Sequence, residues 1–330
     1  MAEEVSRVGS LTNVPSLATP PSEPLPPDVS TLHAIRDLAE AYLSVALPPP
    51  IPTGFSQIDK WTGGGLHRKS IVVIAARTGE GKSAWALDLA RHMAFDSHAK
   101  VLYLSLEMSK LELTERLLCQ SMLLPIVRLE ALRAAGTLAA LYRPLMERLG
   151  EVWLHLEDER GAQIDQLDAL MEETQGHVPD VLVIDHLQNI PLQYGTTRAD
   201  ALQTYMADLK AFVKRRNLVC LLCCQINRQG KEKPSKEHLK SSGAIEENAD
   251  LIFIGNRVGY DASKPPSLED TEVDYEWWVA KHRRGPEYKF NLTFHPACFA
   301  FLEPTPYSTP KTEPGEPIPV IEDRRAGRDD

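Results

Sequence analysis

The 330-residue chain carries 36 Lys and Arg against 46 Asp and Glu, a formal charge of −10. That balance argues against a protein coated in nucleic acid, but it leaves room for a small basic loop inside a ring, because local charge decides such contacts. No run of about 18 apolar residues suggests a membrane span, no apolar core after basic N-terminal residues suggests a secretory signal, and the five cysteines fit a reducing compartment.

Residues 1–30 and 304–330 are rich in Pro, Ser, Thr, Asp and Glu and poor in periodic apolar positions, and both are expected to be disordered tails. Between them, 31–50 reads as a helix with a proline stop, and 51–303 as the main domain. In the helix, Leu32, Ile35, Leu38, Ala39, Tyr42, Val45 and Ala46 recur at three- and four-residue steps, Ser30 can cap the start, and Pro48-Pro49-Pro50 ends it. A single apolar stripe needs a surface, and spacing leaves two open: its own domain or a neighbouring subunit.

The next segment is Ile71-Val72-Val73-Ile74-Ala75, followed by Ala76-Arg77-Thr78-Gly79-Glu80-Gly81-Lys82-Ser83 and a helical pattern through Ala84, Leu87, Leu89, Ala90 and Met93. Strand, Gly-rich loop, Lys-Ser and helix are the layout of a phosphate cradle. Loop N–H groups can turn inward, Lys82 would reach the β- and γ-phosphates of a nucleotide, and the Ser83 hydroxyl would hold Mg²⁺. Ala76 stands where the first Gly of the usual pattern would be.

Further strands are expected at Val101–Leu106, Val152–Leu156, Val181–Ile184, Val219–Cys224 and Leu251–Ile254, alternating with helices at 84–95, 109–121, 128–149, 163–176 and 199–216. Short apolar runs separated by helices predict an α/β fold with a mainly parallel central sheet flanked by helices. Glu276–Lys281, Tyr288–Phe294 and Cys298–Leu302 read as antiparallel additions. Cys220 and Cys223 spell C-x-x-C, but residues three apart on a strand face opposite ways, so they read as core thiols.

Sites in such sheets form at the carboxyl ends of strands. Asp185 ends an apolar strand in the Walker B manner and would hold the water shell of Mg²⁺ opposite Ser83. His186 follows it where many ATPases carry a Glu, so the base must come from elsewhere. Glu107, after the first strand beyond the loop helix, is the expected catalytic base. Gln225 ends the strand after Walker B and reads either as a γ-phosphate reader or as a polar strand end. The cationic run Lys281-His282-Arg283-Arg284 reads either as a solvated face or as a reach into a neighbour's site. The segment 228–243, with Lys231, Lys233, Lys236 and Lys240, is either a surface loop or a grip on a phosphate backbone.

Taken together, Ile51-Pro52-Thr53-Gly54-Phe55, Thr62-Gly63-Gly64-Gly65-Leu66, Ala75-Ala76-Arg77 with Gly81-Lys82-Ser83, Ser105-Leu106-Glu107-Met108, Ile184-Asp185-His186-Leu187-Gln188, Gln225-Ile226-Asn227-Arg228, Ser242-Gly243-Ala244-Ile245-Glu246 and Ala280-Lys281 with Arg283 and Gly285-Pro286 resemble the ATPase domain of DnaB-type replicative helicases. The likeness runs over residues 51–303, and Ala76 is usual in that family. It implies a RecA-like P-loop core, a homohexameric ring, and ATP- and Mg²⁺-dependent movement on single-stranded DNA in replication. It also implies residence in the cytoplasm of a bacterium or phage-infected host, with a helicase loader as a further candidate partner.

Carried over by residue, the resemblance makes Glu107 the catalytic glutamate, Asp185 Walker B and Gln225 the γ-phosphate sensor. Lys281 and Arg283 act in trans, and Lys240, Ser241 and Gly243 grip DNA. The helix at 31–46 falls at the family's linker helix. Three features depart from the pattern. The N-terminal helical domain is expected to be missing, Leu239-Lys240-Ser241-Ser242-Gly243 lacks the usual Arg-Glu, and His186 replaces a common Tyr. None touches the hydrolytic set. Two rival readings are a RecA-like ATPase that loads or remodels other proteins or acts in recombination without processive unwinding, and a binding module that uses nucleotide only to set its assembly.

Overall fold

A computed structural model describes residues 48–174, 176–191, 197–226, 242–259 and 272–304, together with Ile35 and Leu43. The chain divides at Pro50. In the first unit, Ile35 and Leu43 are helical and exposed, and the rest of the expected helix and the tail 1–30 lie outside the described residues. So does 305–330.

Among the described residues from Pro50 onward the apolar runs become nine strands: β1 (Ser70–Ala76), β2 (Val101–Ser105), β3 (Leu154–Glu157), β4 (Val181–Asp185), β5 (Val219–Gln225), β6 (Leu251–Arg257), β7 (Val273–His282), β8 (Tyr288–His295) and β9 (Ala300–Leu302). They form one sheet in the order β3-β2-β4-β5-β1-β6-β7-β8-β9. The pairs from β3 to β6 are parallel, and those from β6 to β9 are antiparallel. The helices are α1 (Ser56–Trp61), α2 (Lys82–Phe95), α3 (Lys110–Met122), α4 (Ile126–Ala134), α5 (Leu138–Glu151), α6 (Ile164–Glu173), α7 (Arg198–Arg216) and α8 (Ser242–Asn248).

Strand alternation splits the core into two layers. Val72 and Ile74 of β1 join side chains of α2 to α5, whereas Ile71, Val73 and Ala75 join those of α6, α7 and α8. Cys223 falls in the first layer and Cys220 in the second, as the period requires. Burial pushes the Cys220 thiol up to about 12, so it is an inert core group. The first layer is aromatic where the antiparallel strands meet α2: Trp85 stacks on Trp277 with ring centroids 3.7 Å apart, and Phe253, Phe290 and Phe301 close around them.

Three expectations need correction. The helix expected over 128–149 is two helices, broken at Gly136, whose φ of +70° ends α4. The strand expected over Val152–Leu156 begins two residues later. Cys298 lies in a 3₁₀ turn, Pro296–Cys298, ahead of a shorter β9. The short helices α1 and α8 carry too few residues for a periodic signal.

Candidate functional site

The loop between β1 and α2 is shaped by its two glycines, Gly79 at φ +79° and Gly81 at φ +84°. Gly81 is doubly constrained, since a Cβ there would come within 3.1 Å of Phe301 and 3.3 Å of Phe294. Ala76 is the last residue of β1, fully buried and paired with Gln225, and its φ is not positive, so no Gly is needed there. Glu80 is buried and braces the loop from behind. It pairs with Arg77 at 3.1 Å, and the Tyr275 hydroxyl donates to its carbonyl at 2.7 Å. Burial raises the Glu80 carboxyl above its ordinary value, against the pull of Arg77.

Where the loop enters α2, Lys82 lies 3.3 Å from Asp185 at the end of β4. Both are buried. The other Asp185 oxygen accepts from the Tyr103 hydroxyl at 2.9 Å, and Ser83 also hydrogen-bonds the carboxylate. Burial works against charge on both partners. For Lys82, the neighbouring Cys223 and Asp185 outweigh it and hold the ammonium above its usual range, while Lys82 and the two hydroxyls hold Asp185 below its own. A hydroxyl and a carboxylate at a phosphate cradle are the hard oxygen donors Mg²⁺ takes, since it keeps several waters and leans on substrate phosphates rather than on a protein cage. The residues present fit that ion.

The register Ser105↔Asp185 and Ala76↔Gln225 puts four strand ends on one edge. Leu106 N–H donates to the Asp185 carbonyl at 2.6 Å, which carries Glu107 over the same edge. Glu107 is exposed, and its Oε2 lies 2.9 Å from Nδ1 of the buried His186, on a line bent too far for a hydrogen bond. Burial, then Lys82, lowers the His186 pKa, against Asp185 and Glu107. The Gln225 side-chain amide donates to the Thr78 hydroxyl. Gln188 clasps the Gln225 backbone, accepting from its N–H at 3.1 Å and donating to its carbonyl at 3.4 Å.

Thr78, Lys82, Ser83, Glu107, His186 and Gln225 line one cleft of about 510 Å³, and Asp185 and Tyr103 are buried and do not line it. Its far end is apolar and basic: Arg116 lies over the Phe299 ring at 4.6 Å, beside Phe294 and Pro296. Gln120 donates to the carbonyls of Ala84 and Phe299, both at 2.8 Å, tying α2 to that wall. Sequence reasoning missed Tyr103, Arg116, Gln188 and the inward position of His186. Tyr103 did leave a signal, being the lone phenol in an apolar strand, two residues before its end.

Lys281 and Arg283 are not in this cleft. Arg283 N–H donates to the Asp250 carbonyl at 2.9 Å, and Asp250 N–H to that of Ile71 at 2.8 Å, at the start of β1. The loop leaves the other end of β1, about 17 Å away at strand rise. Lys281 donates to the Glu246 carbonyl and Arg283 to that of Glu247. A second, smaller cleft of about 170 Å³ opens beside them, lined among others by His67, Arg68, Lys69, His282, Arg283 and Arg284. Of the expected DNA-gripping residues, Gly243 is exposed in α8, and Lys240 and Ser241 lie outside the described residues. No helix among the described residues is long and apolar enough to cross a membrane.

A phosphate-cradling loop, a buried Lys–Asp pair and an acidic residue on the next strand end, all at the carboxyl edge of a mainly parallel sheet, define a P-loop nucleotide-binding domain of RecA-like fold. The model of the DnaB-like helicase C-terminal domain matches residues 50–303, and the chain belongs to that family. The replicative DNA helicase DnaB of Leifsonia xyli subsp. xyli is 27% identical over 270 residues, covering 78% of this chain and 56% of the relative. That of Geobacillus stearothermophilus is 26% identical over 251 residues, covering 74% and 54%. The chain thus spans about half the length of these relatives. A solved DnaB-like replicative helicase, described with its interactions with primase, superposes at a TM-score of 0.69 with 25% identity, over 83% of this chain and 67% of that one. A solved ATPase domain superposes at 0.68 with 26% identity, over 82% and 96%.

Proposed function

We propose that residues 51–303 are the motor of a ring-forming, ATP-dependent DNA helicase that acts in replication. One observation carries this: Lys82, Ser83, Glu107 and Gln225 line one cleft, with Asp185 buried 3.3 Å from Lys82, while Arg283 sits at the opposite end of β1, out of reach of that cleft. Family membership supports the same reading.

In this reading, N–H groups of residues 77–83 and the Lys82 ammonium hold the β- and γ-phosphates of ATP. Ser83 and Asp185 hold Mg²⁺, which supplies charge neutralisation on the phosphate oxygens when bound. Glu107 accepts a proton from water as its oxygen bonds to the γ-phosphorus and the bond to the β-bridging oxygen breaks, with ADP as leaving group. Gln225, clasped by Gln188, senses the γ-phosphate. Lys281 and Arg283 of the adjacent subunit of a hexamer neutralise the charge that develops. Lys240, Ser241 and Gly243 grip single-stranded DNA in the channel, and a helicase loader is a further partner.

The test is ATP hydrolysis with Mg²⁺, with and without single-stranded DNA, followed by unwinding of a forked duplex. Hydrolysis stimulated by DNA, with strand separation, is expected. Absence of hydrolysis in the presence of DNA overturns the motor reading. Hydrolysis without strand separation leaves the remodelling ATPase in its place.

A further inference from the structure

We infer that His186 is a positioning residue for Glu107, holding its carboxylate in line with the γ-phosphate end of the cleft. The inference rests on the hydrolase reading above. Glu107 follows β2 on an exposed stretch, and its side chain is 53% exposed. An unrestrained glutamate there samples several rotamers, few of which aim at one water. Among the described residues, His186 is the only side chain within ion-pair distance of its carboxylate, at 2.9 Å.

His186 is held where Glu107 is not. It is buried at 8% exposure, it follows the last residue of β4, and its carbonyl accepts from Asn189 N–H at 3.1 Å, closing the 3₁₀ turn Leu187–Asn189. Asn189 in turn donates its side-chain amide to the Leu106 carbonyl at 2.9 Å. One short turn therefore grips the backbone before Glu107 and presents an imidazole to its carboxylate. Nδ1 has no hydrogen-bond partner, although it is buried. An orphaned buried nitrogen is unfavourable unless a small rotation completes its bond, and the carboxylate is the group placed to do so. Catalytic hydrogen bonds are often bent before substrate binds and straighten with it. A carboxylate facing Nδ1 favours the neutral tautomer that carries its proton on that nitrogen, so the ring can donate without being charged.

The test uses the full chain. His186→Phe keeps a planar ring and removes the donor. His186→Asn places an amide nitrogen close to the Nδ1 position. The Phe variant is expected to lower kcat by roughly 10- to 100-fold, the loss expected when a reacting group is misplaced by about 1 Å, with KM for ATP within about twofold. The Asn variant is expected to recover most of that loss. Unchanged kcat in the Phe variant, or equal losses in Phe and Asn variants that melt like the parent, overturns the assignment.

A second readout does not need turnover. In nitrogen-15 spectra, the His186 Nδ1 resonance, identified by its loss in the Asn variant, is expected to shift on Glu107→Gln. An unmoved resonance also overturns the inference. A parent chain that hydrolyses nothing but shows the shift counts against the hydrolase reading alone.

Discussion

The Lys82 ammonium and the Asp185 carboxylate face each other at 3.3 Å, both buried at the mouth of the phosphate loop. Before nucleotide arrives, each neutralises the other. In the proposed reading, a bound triphosphate would give Lys82 a second anion and leave Asp185 to hold the Mg²⁺ that accompanies it. The pair is thus a preorganised charge centre whose members have separate tasks once the cleft is filled.

Lys82→Ala is therefore expected to do two things. Nucleotide affinity falls, and the folded protein loses roughly 1–3 kcal/mol, because Asp185 stays buried without its cation while Tyr103 and Ser83 still hydrogen-bond it. The double variant Lys82→Ala, Asp185→Asn is expected to regain stability without regaining affinity. Urea unfolding and fluorescent-nucleotide titration separate the two effects. A single variant as stable as the parent contradicts this account of the pair.

Glu107→Gln preserves shape and removes the proton acceptor. Binding of ATP is expected to stay within a few-fold, and kcat to fall by roughly 10²- to 10⁴-fold. Steady-state hydrolysis beside equilibrium binding tests this. Turnover within a few-fold of the parent would move the base elsewhere.

Gly81→Ala tests the loop's shape. Alanine at φ +84° is strained, and its Cβ presses on Phe301 and Phe294. A loss of about 1–3 kcal/mol is expected by urea unfolding. Gly79→Ala meets nothing within 4 Å, so it carries only the conformational part and is expected to lose less. Equal losses in the two variants would remove packing from the explanation.

Much of this site was legible in the sequence because strand ends and phosphate loops leave local signals. Val181-Leu182-Val183-Ile184-Asp185 declares both a buried strand and the edge at which its acid emerges. Ala76 looked like a defect in the motif and is simply a strand residue. The unread parts are contacts between distant segments. Nothing near Gln188 says that it will clasp Gln225, and nothing near Arg116 says that Phe299 will lie beneath it. Arg283 was readable as a cation in a run, but its distance from its own loop depends on β6 and β7 running antiparallel, which no single segment encodes. The helix broken at Gly136 failed for a local reason: apolar periodicity continued across the break and outvoted one glycine.

His67 and His282 give a pH expectation. Burial lowers both below the ordinary 6.5, with Arg284 adding to the effect at His67. The unfolded chain therefore binds these protons first, and stability is lost as pH falls through 6.5 toward the folded values. The double variant His67→Asn, His282→Asn is expected to lose less stability than the parent between about pH 7 and about pH 5. Both rings are partly exposed, so the difference is modest. Urea midpoints at the two pH values measure it, and parallel losses in parent and variant would show that these histidines do not report on folding.

The position of Arg283 makes the assembly testable. Its backbone is tied to Asp250 and through it to Ile71, at the end of β1 away from the phosphate loop. No side-chain rotation spans that strand, so Arg283 does not reach its own cleft, and the proposed reading assigns it to the site of another copy. Arg283→Ala and Lys82→Ala chains are each expected to hydrolyse little ATP alone. In rings mixed at equal ratio, roughly a quarter of the interfaces of a head-to-tail ring pair an intact Lys82 with an intact Arg283. Hydrolysis should therefore recover toward about a quarter of the parent rate. The control mixes Lys82→Ala with Glu107→Gln, in which both defects sit on the same side of the interface and no interface is made whole by a neighbour's Arg283. Recovery in the first mixture alone supports action between subunits. With subunit exchange verified by differently labelled chains, failure of the first mixture to recover removes Arg283 from the neighbour's site.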